Sequence, residues 1–201
     1  MTLVTEAAAF AARAHEGQVR KGTNIPYIVH PMEAAAIVAA LTDEPELIAA
    51  ALLHDVMEDC GVTYAQLCER FGPRVAKIVR EDSQCQSTAT GERAPWGVRK
   101  RAAVERFRSS DRDEKLIVLA DKLSNMRAMF RDFEREGAAM FAKFNERDMR
   151  RHAWYYRSCA ALTEAEFGST GAWRELSWRI EYVFAGVDSV APDGACAQAK
   201  D

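Results

Sequence analysis

Four groups able to bind a metal or move a proton fall within six residues of this chain, as His54-Asp55 and Glu58-Asp59 in the stretch AALLHDVMED at Ala50–Asp59. On a helix, His54 and Glu58 are four apart, as are Asp55 and Asp59, so each pair can share one side. The competing reading is a helix cap or a solvated acidic turn, the ordinary fate of such residues. The apolar run Ala50, Ala51, Leu52, Leu53 directly before them argues against it. Charges beside a core are costly unless they are paired or bound to a metal.

A second acid, Asp121, stands in the middle of the apolar segment Leu116–Met126, with Asn125 one helical turn later. Aspartate is unfavourable in a helix interior, so a specific role is expected there. Pairing with Lys122 or Arg127, or back-bonding to its own helix, is the structural alternative. His30, His54, Asp55 and Asp121 together would form a mixed nitrogen and oxygen set suited to one divalent first-row ion with open positions for water and substrate. Spacing alone does not select His30 and Asp121 from the other candidates, and His15 and His152 are equally admissible because both also lie on expected helices.

Positioning these groups requires helices. Thr2 can cap a first helix with Ala7, Phe10, Ala11 and Ala14 on its apolar face, ended by Gly17 and the loop Gln18–Pro26, which carries Arg20-Lys21. Pro31 suits a first helical turn, placing His30 at the mouth of a helix with Ala34, Ile37, Val38 and Leu41 facing a core. Pro45 opens a third helix expected to run unbroken through HDVMED to Gly61. Thr63 with Gln66 reads as a capping box, and Gly72-Pro73 separates that helix from the next. Asp82–Trp96 reads as a mobile loop, followed by a basic segment, Val98–Arg108, with Arg99, Lys100 and Arg101. Asp111–Glu114 places acids in the first turn of a long helix that Gly137 ends. Asn145 is expected to cap a helix running to Gly168, and a last helix spans about Ala172–Phe184, burying Trp173, Leu176, Ile180 and Val183. The expectation is an all-α fold, one domain over 1–187 with a disordered tail at 188–201.

Composition removes several classes of function. With a net charge of −3 there is no reason to expect nucleic acid as the main partner. No apolar run approaches the roughly 18 residues of a membrane span, and no signal peptide is visible. Five cysteines without a CxxC pair fit reduced thiols. A cytoplasmic protein is expected. Oligomeric state is not legible.

The blocks RKGTNIPYIVHP at Arg20–Pro31, LLHDVMED at Leu52–Asp59, FGPRVAKIV at Phe71–Val79 and KLIVLADKLSNMR at Lys115–Arg127 resemble, in order and spacing, the HD-domain hydrolases of the RelA/SpoT family. The likeness is to the small stand-alone hydrolases without a synthetase domain, and it covers most of residues 10–130. It implies a single helical bundle with a metal site between helices. It also implies a manganese-dependent enzyme that removes pyrophosphate from the 3′ position of guanosine tetra- and pentaphosphate, the alarmone nucleotides. By that resemblance the metal ligands are His30, His54, Asp55 and Asp121, and Glu58-Asp59 is the catalytic pair. Arg20, Lys21 and Asn125 are substrate contacts, joined by Arg151 and Tyr155 on a looser local match. The loop between Lys21 and Pro26 is one residue longer than in the bifunctional enzymes. A nucleotidase or phosphatase acting on another phosphorylated nucleotide, such as a deoxynucleoside monophosphate or a nicotinamide dinucleotide phosphate (NADPH), would keep the metal set without needing the first block, whereas an adenosine 3′-pyrophosphate stays open because the base pocket is not legible in the sequence. A non-catalytic sensor would be expected to have lost Glu58 or Asp59, and both are present.

Overall fold

The apolar segment before His54 forms a helix that is buried on all its faces, and the site is built at its end. In the computed structural model, which describes residues 2–83 and 94–193, ten α-helices follow one another: α1 Leu3–Ala14, α2 Val29–Ala39, α3 Pro45–Leu53, α4 Val56–Cys60, α5 Tyr64–Phe71, α6 Pro73–Ser83, α7 Trp96–Ser109, α8 Arg112–Glu136, α9 Met149–Phe167 and α10 Gly171–Val183. Among the described residues the fold is an all-α helical bundle. The β pairing found among the described residues is a single bridge, Val19 with Pro26, closing the loop after α1. No helix of the described residues is long and apolar enough to cross a membrane.

The chain forms two compact units, the first from residues 1–83 and 111–125, the second from 84–110 and 126–201. In the first, α3 packs against α1, α2 and α6, and Leu47, Ala49, Ala50, Ala51 and Leu53 are fully buried. A helix apolar all round has to be enclosed in this way. Pro45 starts it at a position where the missing N–H costs nothing.

The expected unbroken helix through HDVMED is not what forms. α3 stops at Leu53, His54 and Asp55 make a turn, and α4 restarts at Val56. Asp55 has φ −95° and ψ −6°, off the helical ridge, while its carbonyl still accepts from the Asp59 N–H at 2.9 Å. Gly61, at φ 68°, ends α4 in the left-handed conformation that glycine tolerates best. The Thr63–Gln66 capping box of α5 is present in both directions.

α6 takes in Asp82 and Ser83, so the segment read as a loop begins later, and its residues 84–93 lie outside the described residues. At the start of α8, Asp111 and Glu114 exchange side-chain to backbone hydrogen bonds of 3.0 and 3.1 Å. Residues 116–124 of that helix are buried without interruption.

In the second unit α9 packs against α7 and α10. The cap of α9 is Asp148, whose side chain accepts from the Arg150 N–H at 2.9 Å, and not Asn145. The residues between Gly137 and Lys143, left unassigned from sequence, form a short 3-10 helix that shifts the start of α9. Trp173 is half-buried, and its indole N–H donates to the Ala160 carbonyl at 2.9 Å. Of the expected tail, residues 194–201 lie outside the described residues. Residues 188–193 are tied down by the Val190 N–H on the Arg150 carbonyl and by Arg101 on the Pro192 carbonyl, 3.2 and 3.1 Å. Gly97 permits this close approach, since a Cβ there would stand 2.6 Å from Cβ of Pro192.

Candidate metal centre and active site

The end of a helix leaves its last carbonyls without partners. At the end of α3, the imidazole of His54 turns back and its Nδ1 lies 2.8 Å from the Ala51 carbonyl oxygen. A carbonyl only accepts, so Nδ1 carries the hydrogen and, in the neutral ring, Nε2 presents a lone pair. The ring is 1% exposed.

His30, the second residue of α2, is oriented from its far side as well. Its Nδ1 lies 2.8 Å from Oγ of Ser124 on α8, and Ser124 in turn donates to Oε2 of Glu33 at 2.7 Å. The lone pair of His30 Nε2 therefore also points inward. It lies 3.2 Å from His54 Nε2 and 3.2 Å from Oδ1 of Asp121. Asp55 Oδ2 completes the cluster, 3.0 Å from His54 Nε2 and 3.5 Å from His30 Nε2.

Four donor atoms from the α2 start, the α3–α4 turn and α8 thus converge with lone pairs facing one another. Ligands bound at about 2.0–2.1 Å around one ion stand about 2.9 to 3.4 Å apart for angles between square and tetrahedral. The spacings of 3.0 to 3.2 Å fall in that range, while His30 Nε2 to Asp55 Oδ2 at 3.5 Å and His54 Nε2 to Asp121 Oδ1 at 3.9 Å are wider. His30, His54 and Asp121, all buried, form a group able to hold a metal ion. Without a cation, such an arrangement would place two carboxylates against two bare nitrogens. The alternative, imidazolium rings, is opposed by burial, which holds His30 below its ordinary value. Burial alone would raise the Asp121 carboxyl, but the Lys122 ammonium outweighs it and holds the group well below the usual carboxylate range. The donor chemistry fits a divalent ion, and the negative end of the α3 dipole favours a cation at the same place.

Asp121 also accepts from Lys122 and from the Asn125 amide. The pairing with Lys122 is therefore on Oδ2, while Asn125 shares Oδ1 with His30 Nε2. Asn125 accepts in turn from Arg20 at 2.9 Å, and the Arg20 guanidinium lies 5.6 Å from the Tyr27 ring centre. Arg20 is aimed by this contact at the Asp121 side of the cluster. Lys21 is exposed. Glu58 and Asp59 follow in α4, half-buried and exposed respectively, within a turn of His54 and Asp55.

His15 and His152, admissible from spacing, lie elsewhere. His15 binds Gln18 at 2.8 Å and touches the Cys60 sulfur at 3.3 Å. His152 belongs to the second unit, where its Nε2 meets the Glu146 carbonyl at 3.0 Å. In that unit Arg151 pairs with Glu146 at 3.0 Å and Asp193 at 3.4 Å, and Tyr155 is buried with the Lys100 ammonium 4.7 Å from its ring centre. Arg99 donates to the Ala94 carbonyl at 3.1 Å.

Three residues of the site escaped the sequence reading. The Tyr27 hydroxyl donates to Asp55 Oδ2 at 2.8 Å, and burial with the nearby Asp55 and Asp59 charges raises its pKa, so it stays a donor. Glu33 and Ser124 orient His30. A signal for them existed: Tyr27 is three residues before His30, Glu33 three after it, and Ser124 three after Asp121.

Comparison with known proteins follows the same lines. A family model described as HD domain matches residues 7–149. The Haemophilus influenzae protein named guanosine-3′,5′-bis(diphosphate) 3′-pyrophosphohydrolase is 42% identical over 125 residues, 59% of this chain and 17% of that protein. The Escherichia coli bifunctional (p)ppGpp synthase/hydrolase SpoT is 38% identical over the same shares of the two chains. The chain therefore spans 17% of the length of those bacterial relatives. The Xenopus tropicalis 3′-pyrophosphohydrolase MESH1 is 38% identical over 133 residues, 64% of this chain and 70% of that protein. A solved structure, described as a metazoan ortholog of SpoT that hydrolyzes ppGpp and plays a role in starvation responses, matches with a TM-score of 0.68 and 25% identity over 92% of this chain and 94% of that one.

Proposed function

This chain belongs to the HD-domain family, and from that premise we propose that it is a manganese-dependent 3′-pyrophosphohydrolase of guanosine tetra- and pentaphosphate, releasing pyrophosphate and GDP or GTP. The observation that carries the hydrolytic reading is the convergence of two imidazole lone pairs and two carboxylates, each oriented by a hydrogen bond outside the cluster. The substrate is supported by the relatives, which are named for it. The free thiols of Cys60, Cys68 and Cys159 support a reducing, cytoplasmic setting.

His30, His54, Asp55 and Asp121 would hold the ion. Bound there, it supplies Lewis acidity toward a phosphate and a hydrolytic water that ionises near neutral pH. Glu58 accepts the proton of that water, and Asp59 steers it through a second water. Tyr27 holds the Asp55 carboxylate in one orientation. Arg20, aimed by Asn125, and Lys21 take the charge of the polyphosphate. Water oxygen bonds to the phosphorus on the 3′ oxygen, the P–O3′ bond breaks, and the 3′ oxygen leaves, taking a proton from solvent to become a hydroxyl.

The test follows the bond. With guanosine tetraphosphate in ¹⁸O-enriched water and manganese, the expected product is intact pyrophosphate carrying the label, with the 5′ diphosphate retained. Orthophosphate as first product, or label on the ribose 3′ oxygen, would refute the assignment and favour a nucleotidase.

A further inference from the structure

An imidazole can bind a metal through Nε2 only if the proton sits on Nδ1, and that choice is made by what Nδ1 faces. For His54 a carbonyl makes it, since a carbonyl has no proton to offer. For His30 the neighbour is a serine hydroxyl, which can donate or accept. A hydroxyl alone leaves the tautomer open.

The second contact of Ser124 closes it. Its single proton goes to Oε2 of Glu33 at 2.7 Å, because a carboxylate can only accept. The lone pairs of Ser124 Oγ then face His30 Nδ1 at 2.8 Å, and Nδ1 has to bear the hydrogen. All three groups lie in the first unit, with Ser124 1% and His30 3% exposed and Glu33 half-buried, so water has little access to substitute for the His30–Ser124 bond. We propose that Ser124 and Glu33 are positioning residues that set the tautomer of His30 and so permit a cation, not a proton, to occupy the space between His30 Nε2 and Asp121.

The inference rests on the metal reading of the cluster. If Ser124 is removed, Nδ1 loses its acceptor and the proton moves to Nε2, which has an acceptor waiting in Asp121 Oδ1 at 3.2 Å. If Glu33 is removed, the Ser124 hydroxyl is released to donate to Nδ1, with the same result for Nε2. The second case separates tautomer control from packing, since the His30–Ser124 contact survives in it.

Manganese affinity of the full chain would be measured by calorimetry for wild type, Ser124→Ala, Glu33→Ala and the double variant. Alanine is the best helix former, so neither change threatens α2 or α8. The expected loss is about 10–100-fold for Ser124→Ala, the usual range for such outer partners. A smaller loss is expected for Glu33→Ala, and none beyond Ser124→Ala in the double variant, because the proposed relay runs from Glu33 through the hydroxyl. Long-range ¹H–¹⁵N spectra of the metal-free protein should show His30 as the Nδ1–H form in wild type and as Nε2–H in Ser124→Ala. Wild type that binds manganese alongside variants that bind it equally well, or an unchanged His30 tautomer, would overturn the relay and leave the metal site standing. Wild type that fails to bind manganese would overturn the metal reading, and this inference with it.

Discussion

Replacing Tyr27 with phenylalanine removes one oxygen and little else. The ring is held by His15, centre to centre 4.9 Å, and by His30 at 5.8 Å, and both contacts survive in phenylalanine. What disappears is the 2.8 Å hydrogen bond to Asp55 Oδ2. A hydrogen bond to a charged acceptor contributes about 1.5–3 kcal/mol. The Asp55 side chain is 13% exposed, so water offers partial replacement and the lower half of that range applies. That corresponds to about 10–50-fold in any equilibrium that needs Asp55 fixed, at 1.4 kcal/mol per decade, and agrees with the 10–100-fold typical of groups behind a metal ligand. Manganese affinity should fall by that factor, while kcat at saturating manganese falls much less, because Tyr27 orients a ligand and is assigned no proton transfer. Calorimetric titration of both proteins, followed by steady-state kinetics at saturating metal, makes the comparison. Unchanged affinity would show that Asp55 needs no such support. A loss of kcat at saturating metal equal to the loss in Glu58→Gln would refute the division of roles.

Glu58→Gln keeps the shape of the side chain and removes the base, so manganese and substrate should still bind while kcat falls about 10²–10⁴-fold; a loss under threefold would reassign Glu58 to structure. Lys21→Ala should mainly raise KM, and an unchanged KM would mean that the longer loop turns Lys21 from the substrate. Stability should depend on pH through His152, which burial among Trp96, Phe141 and Phe144 holds below its ordinary value of 6.5. A depressed folded-state pKa contributes stability that is complete above pH 6.5, where both states are neutral. That contribution is lost as pH falls and the unfolded chain alone takes a proton, by up to about 1.4 kcal/mol per pH unit. Urea midpoints between pH 7.5 and 5.5 should show this slope, reduced in His152→Asn, and an identical slope in the variant would exclude His152.

The helices were legible from sequence because their causes are local. Pro45 at a first turn, the Thr63–Gln66 box, Gly61, and the Gly137 that follows α8 each act within a few residues of the structure they specify. The same holds for the ligand types, since an acid set inside Leu116–Met126 is out of place unless it has a partner. Besides the later end of α6, two boundaries went differently because a neighbour intervened. Asp148 and not Asn145 caps α9, displaced by a 3-10 turn, and the helix through HDVMED breaks at His54-Asp55. That break releases the Ala51 carbonyl to the His54 ring, and it cannot be read from a pattern in which every residue is compatible with helix.

Selecting His30 over His15 and His152 needed either the family resemblance or the coordinates. All three imidazoles are buried, and what differs is which polar groups the fold sets against them. Ninety-four residues separate His30 from Ser124, and 28 separate Tyr27 from Asp55. Contacts at that range have no sequence period. Residue type and local spacing determined which groups could bind a metal. Only tertiary packing, by fixing the donor on the far side of each ring and carboxylate, decided which lone pairs meet.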